Sequence, residues 1–337
     1  MLAAAAWALV TVLHGVLNLG WLSSEPKPRA DALKVGFLPV TCHLTCPVTH
    51  FINEDLGGER WFEPLRFTGF PEIKEAFLSG DLPATFILAP MAIALREQGV
   101  PIKIVYLGHR DGTALVVRKD SEIFRTEQLK GKTIAVPGRF ANQRLVLHRE
   151  LKAKGLSLDD VKVVELSPPD MPAALYARAV DAITSGEPFM GQTELDGYGR
   201  VLWQAKDVWP GFISCVLAVN EREIARRRDV IQRLVDGIAR SGLWLDADPK
   251  NRVAAAERAG PRYYHQDPRL LRYVLSQPPD RVTYSSLTPA RADFEEIERL
   301  GLETGMLRGT AHFNDYVDTS FTPAADALKP WALEAKP

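Results

Sequence analysis

The chain has 337 residues, 46% hydrophobic and 25% charged, an ordinary globular composition with length for about two domains. Its 41 Lys and Arg nearly balance 42 Asp and Glu, for a formal net charge of -1, which leaves no basic field to hold nucleic acid by its phosphates. Three cysteines exclude a disulfide framework and leave one bridge, a metal site or free thiols. No self-similar repeat or low-complexity tract interrupts the chain.

In chain order, residues 1–24 come first and contain no Asp, Glu, Lys or Arg. The run is long for the apolar part of a secretory signal and adequate for a membrane span. The expectation is export, through a cleaved signal or with an uncleaved anchor; a buried N-terminal helix is the alternative. Residues 25–33 are polar and Pro-bearing, and they read as a linker.

The body then alternates short apolar runs with helical patterns. Strands are expected at 35–40, 84–88, 102–107 and 114–118, with a helix at 73–79 that Gly80 ends. A second unit opens with a strand within 129–137 and a helix at 140–154. Strand 161–166, a helix at 171–179 capped by Asp170 and strand 180–185 follow. Strands at 201–203 and 212–219 lead into helices at 221–245, 251–260, 267–275 and 289–304. Strand and helix alternation predicts an α/β fold on mainly parallel sheets. Two such units in series predict two lobes around a central cleft, with 114–118 and 212–219 as hinge strands.

Several segments carry a resemblance. Residues 129–136 (LKGKTIAV), 80–91 (GDLPATFILAPM), 186–189 (GEPF) and 279–282 (PDRV) resemble, in order and spacing, the periplasmic binding proteins for nitrate, bicarbonate, sulfonates, taurine and thiamine-pyrimidine precursors. The resemblance covers about residues 34 to 321. It implies a type II periplasmic-binding fold with a hinge, a cleft and a helical C-terminal region. It also implies a monomer that hands a small-molecule ligand to the permease of an ABC transporter, in the periplasm or otherwise outside the cytoplasm, without catalysis or a cofactor. The lobes are expected at 34–117 with 212–330, and at 118–211. Eukaryotic thiamine-pyrimidine synthases share the fold and are enzymes. Their cysteines form a tight run, unlike Cys42 and Cys46 here, and no catalytic motif is apparent.

Candidate site residues come from the turns after strands. Thr41, Cys42, His43 and Cys46 follow the first strand. Cys42, Cys46 and His50 are spaced to share a helical face, and with His43 they form a candidate zinc or copper(I) set, or a redox sensor. Pro47 weakens the face argument, because proline fits only the first helical turn. Both thiols packing as small core residues is the alternative, as is a bridge from Cys42 to Cys46 or Cys215. Pro90 and Met91 offer an adaptable apolar contact. Asp111, Gly112 and Thr113 offer polar atoms and close backbone approach, or form only a turn. Arg139 and Asn142 lie at a helix start, where an anion would be held. Glu187 either faces a ligand cation or satisfies local backbone donors. Thiols, imidazole, an arginine and carboxylates together fit a small organic, zwitterionic or heteroaromatic, at least as well as a simple oxyanion.

Overall fold

Apolar runs too short for helices bury themselves best as strands covered by helices on both faces, and here they build two separate sheets. A computed structural model describes residues 31–323 and 329–331, with Trp7 and Thr11. The expected signal or anchor at 1–24, those two residues apart, and the start of the linker lie outside the described residues. Among the described residues no helix is long and apolar enough to cross a membrane.

The strands are β1 (Leu33–Phe37), β2 (Phe62–Arg66), β3 (Ala84–Leu88), β4 (Ile102–Leu107), β5 (Arg110–Asp111), β6 (Thr113–Arg118), β7 (Thr133–Val136), β8 (Lys162–Glu165), β9 (Ala182–Gly186), β10 (Gly199–Gln204), β11 (Cys215–Asn220) and β12 (Val282–Thr283). One sheet has the order β2-β1-β3-β11-β4 and the other β10-β6-β9-β7-β8, while β5 and β12 form a two-stranded ribbon. Within the first, β1 is parallel to β2 and β3. Within the second, β7 is parallel to β8 and β9.

Each sheet also contains one reversed strand. β11 is antiparallel to both β3 and β4, and β6 is antiparallel to both β9 and β10. These are the two strands expected to cross between lobes. The reversal follows from connectivity: a chain that leaves one sheet at its carboxyl edge enters the facing sheet at that sheet's carboxyl edge, and can only run backwards through it.

Other expectations shift in detail. β2 lies outside the expected set; it contains Pro64, whose missing N–H an edge position tolerates. The helix expected from 140 starts at Asn142, since Ala141 is still extended. Asp170 does not cap its helix, because its own backbone is already helical and an N-cap requires an extended one. The helix expected over 221–245 is broken at Arg227 (φ -141°, ψ 53°) into Glu221–Arg226 and Arg228–Ala247.

Several contacts join the part carrying the second sheet to the rest. Thr41 N–H donates to the Glu187 carbonyl at 2.7 Å. On the helix Asn142–Ala153, Arg149 pairs with Glu296, while His148 and Lys152 reach Glu303 at 3.2 and 3.0 Å. Glu296 and Glu303 lie on the helix Arg291–Glu303.

Candidate functional site

Strand carboxyl ends present the last side chains and the first turn of the next helix to one common space. A cavity of about 380 Å³ opens there. Pro39 follows β1, Arg66 ends β2 and Thr68 follows it. From the second sheet, Ser167 and Asp170 follow β8 and Phe189 follows β9. Tyr264, His265 and Gln266 complete the wall. His265 takes a left-handed backbone (φ 54°), and the Tyr264 hydroxyl donates to the Val40 carbonyl at 2.8 Å, which ties this corner to the β1 turn. Among the described residues neither Arg66 nor Asp170 has an ion-pair partner, and Gln266 Oε1 is buried without a hydrogen-bond partner. The cavity thus offers one guanidinium, one carboxylate, two aromatic faces and several neutral polar groups.

A separate buried polar seam contains four of the candidates: Thr41, Gly112, Thr113 and Asn142. Thr41 Oγ1 and His109 Nε2 share a hydrogen bond of 3.0 Å, and the Tyr284 hydroxyl donates to the Thr41 carbonyl at 2.9 Å. Gln143 donates to Thr113 Oγ1 at 3.1 Å, and Asn142 donates to the Ile213 carbonyl at 2.8 Å. His109 Nδ1, Asn142 Oδ1, Gln143 Oε1 and Thr184 Oγ1 are buried with no hydrogen-bond partner. Burial lowers the His109 pKa to about 4, so the ring is neutral at neutral pH. Gly112 must be glycine: its φ is 64°, and a Cβ there would sit 2.8 Å from the His109 ring.

Glu187 is buried and occupied. Its carboxylate accepts from Gly191 N–H at 2.7 Å and pairs with Arg281 at 2.6 Å; Arg281 also reaches Glu194 at 2.8 Å. Burial pushes the Glu187 pKa up, against the pull of Arg281. Of the two roles read for it, this geometry is the structural one. Asp111 is half-buried, with its pKa raised by burial despite nearby Lys206 and Arg110. Pro90 and Met91 form the first turn of the helix Ala89–Glu97 and are buried in the core. Arg139 is exposed, 5.6 Å from the Phe140 ring centroid, and does not line the cavity.

The thiols do not arrange as their spacing predicts. Thr41–His43 forms a separate 3-10 turn, and the helix Thr45–Asp55 follows with Pro47 in its first turn. Cys42 therefore stands before the helix, off the face that carries Cys46 and His50. It meets Cys215 at the start of β11, with the sulfurs 3.0 Å apart. A ring nitrogen of His43 and the two sulfurs lie within 4.8 Å of one another. Cys46 is buried apart from them, and burial raises its pKa. His50 Nδ1 shares a 2.8 Å hydrogen bond with the Tyr263 hydroxyl. Of the four residues the structure brings together only Cys42 and His43, joined by Cys215, and it leaves Cys46 and His50 apart from them.

Sequence reasoning missed Arg66, Thr68, Phe189, His109, Arg281 and the wall at 264–266. Thr68 follows a strand and carried a usable signal, had β2 been recognised. Arg66 ends the same strand and Phe189 follows β9, so both carried that signal too; the rest depend on long-range packing that no local pattern reports.

Comparison with known proteins places this geometry. A family model described as the NMT1-like family matches residues 26–260. Over 208 residues the chain is 33% identical to a taurine-binding periplasmic protein of Escherichia coli (strain K12), covering 58% of this chain and 63% of that one. A second protein of that strain, named for binding aliphatic sulfonates, is 25% identical over 202 residues, 58% of this chain and 62% of that one. The chain thus spans about three fifths of the length of these curated relatives. Among solved structures, the ligand-binding component of an ABC-type import system from Staphylococcus aureus, with zinc bound, matches at a TM-score of 0.78 and 23% identity, over 86% of this chain and 97% of that one. This likeness is one of fold: the two-lobed α/β architecture of periplasmic binding proteins.

Proposed function

This chain belongs to the NMT1-like family, and on that premise we propose that it is an extracytoplasmic solute-binding protein delivering a small molecule to the permease of an ABC importer. One observation carries the reading: the carboxyl ends of strands from both sheets converge on the cavity of about 380 Å³, within the range of small-molecule sites. In this reading residues 34–117 with 212–330 form one lobe and 118–211 the other, except that β6 (Thr113–Arg118) pairs within the second sheet and goes with the second lobe. The chain acts as a monomer, and the segment 1–24 directs export or tethers the protein outside the cytoplasm. It binds and releases its solute unchanged.

The cavity's chemistry supports a ligand class. A guanidinium such as Arg66 suits an oxyanion, which it can hold through two parallel hydrogen bonds. Asp170 supplies the opposite charge, and Phe189 and Tyr264 supply apolar faces. A small organic anion or zwitterion of sulfonate or carboxylate type satisfies all of these, and the curated relatives are named for taurine and aliphatic sulfonates. Calorimetric titration and thermal unfolding with taurine, a short alkanesulfonate and nitrate test this. The expected result is one-to-one binding by an organic anion, with a melting temperature that climbs with the logarithm of its concentration. Arg66→Ala should weaken binding about ten- to a hundredfold, the worth of a charged hydrogen bond. No binding across the panel, together with no solute carried through purification, would defeat the reading.

A further inference from the structure

Cys42 and Cys215 are 173 positions apart in sequence, yet more than their side chains meet. Their backbones converge as well. Gly108 N–H donates to the Cys215 carbonyl at 2.8 Å, and a Cβ on Gly108 would lie 2.2 Å from the Cys42 carbonyl oxygen and 3.2 Å from that of Cys215. A glycine therefore lets the turn after β1 and the first residue of β11 pack against one strand end. The sulfurs, 3.0 Å apart, need to close by only about 1 Å to reach bonding distance.

We propose that Cys42 and Cys215 are a redox couple that forms a reversible disulfide, pinning the turn after β1 to the crossover strand β11. A metal is the competing use of the same atoms, and His43 argues against it. Leu38 N–H donates to His43 Nδ1 at 2.7 Å, which puts the ring proton on Nε2. Neither nitrogen of the neutral ring then offers a metal a free lone pair. Two thiols remain, already in contact.

The two sulfurs already face each other, so once one has reacted the other is placed to displace its partner. The co-reactant is a disulfide, of a small molecule or of an oxidoreductase. The Cys42 thiolate attacks one of its sulfurs and releases a thiolate. Cys215 then loses its proton, attacks the Cys42 sulfur and releases the second thiolate. Two electrons pass from the pair to the reagent's S–S bond, and two thiols leave.

Position gives the bond its effect. Thr41, the residue before Cys42, donates its N–H to Glu187, whose segment follows β9 of the other sheet. Joining Cys42 to β11 fixes the turn that makes this contact to the strand by which the chain returns.

The test uses the full chain in buffers spanning reduced to oxidised glutathione, entered from the native state and by refolding from denaturant. Acid quenching, alkylation and peptide mass mapping follow. The expected product is lighter by two hydrogens, links the Cys42 and Cys215 peptides, leaves Cys46 alkylated, and unfolds at higher temperature than the reduced chain. Cys215→Ser should instead trap glutathione on Cys42. Three alkylated cysteines at every ratio, a bridge that includes Cys46, or a stoichiometric metal that blocks the bond throughout would each overturn the proposal.

Discussion

Arg281 has the most at stake of any single residue. It is 4% exposed and is held between Glu187 and Glu194, with its Nε donating to the Gln277 carbonyl at 2.7 Å. Removing one partner of a buried pair strands the other, at about 3–5 kcal/mol. Arg281→Met should lower stability by about that amount in urea unfolding, and adding Glu187→Gln should restore part of it. Glu187 was legible as a residue at a strand end; its partner, 94 positions away, was not, because no local pattern encodes that pairing. His109 makes a pH prediction. Its pKa is near 4 when folded, below the ordinary 6.5, so the unfolded chain binds more protons between those values. Its contribution to stability is complete above about pH 6.5 and is lost as pH falls towards 4. Measured against wild type, His109→Gln should flatten the acid side of the stability curve.

At the scale of elements, the strands buried on both faces were readable because β3 and β11 are short, mostly apolar runs, which suit a central strand. β2 was not among the expected strands; it carries Pro64, which its edge position tolerates. The helical spacing of Cys42, Cys46 and His50 failed because the chain makes a 3-10 turn before Pro47, so counting by fours spanned two elements. The join between β5 and β6 depends on Gly112. Gly112→Ala forces a left-handed backbone on an L-residue and drives its methyl into His109. A loss of about 1–2 kcal/mol from the backbone alone is expected, with more from the clash, and equilibrium unfolding reads it directly.

For the whole molecule, the two-lobed plan was legible from strand and helix alternation, whereas the interlobe contacts were not. The helix Asn142–Ala153 meets Glu296 and Glu303 through His148, Arg149 and Lys152, all partly solvent-exposed. Exposed ion pairs are screened by salt. A Glu296→Gln, Glu303→Gln double variant should sample open forms more often, with a larger radius of gyration by small-angle scattering. Raising the ionic strength should move wild type the same way. A radius unchanged by both treatments would show that these ion pairs do not hold the lobes together.

The reversed strand β11 lies between β3 and β4 and is the last of the five strands of its sheet to be made. A growing chain that has reached only β10 holds β3 and β4 with their facing edges bare, and it cannot finish its first sheet from what it already contains. The amino-terminal half must therefore wait for residues 215–220. A polypeptide built this way stays loose enough to thread until most of its length has been released, and the same delay leaves open strand edges for neighbouring chains to capture.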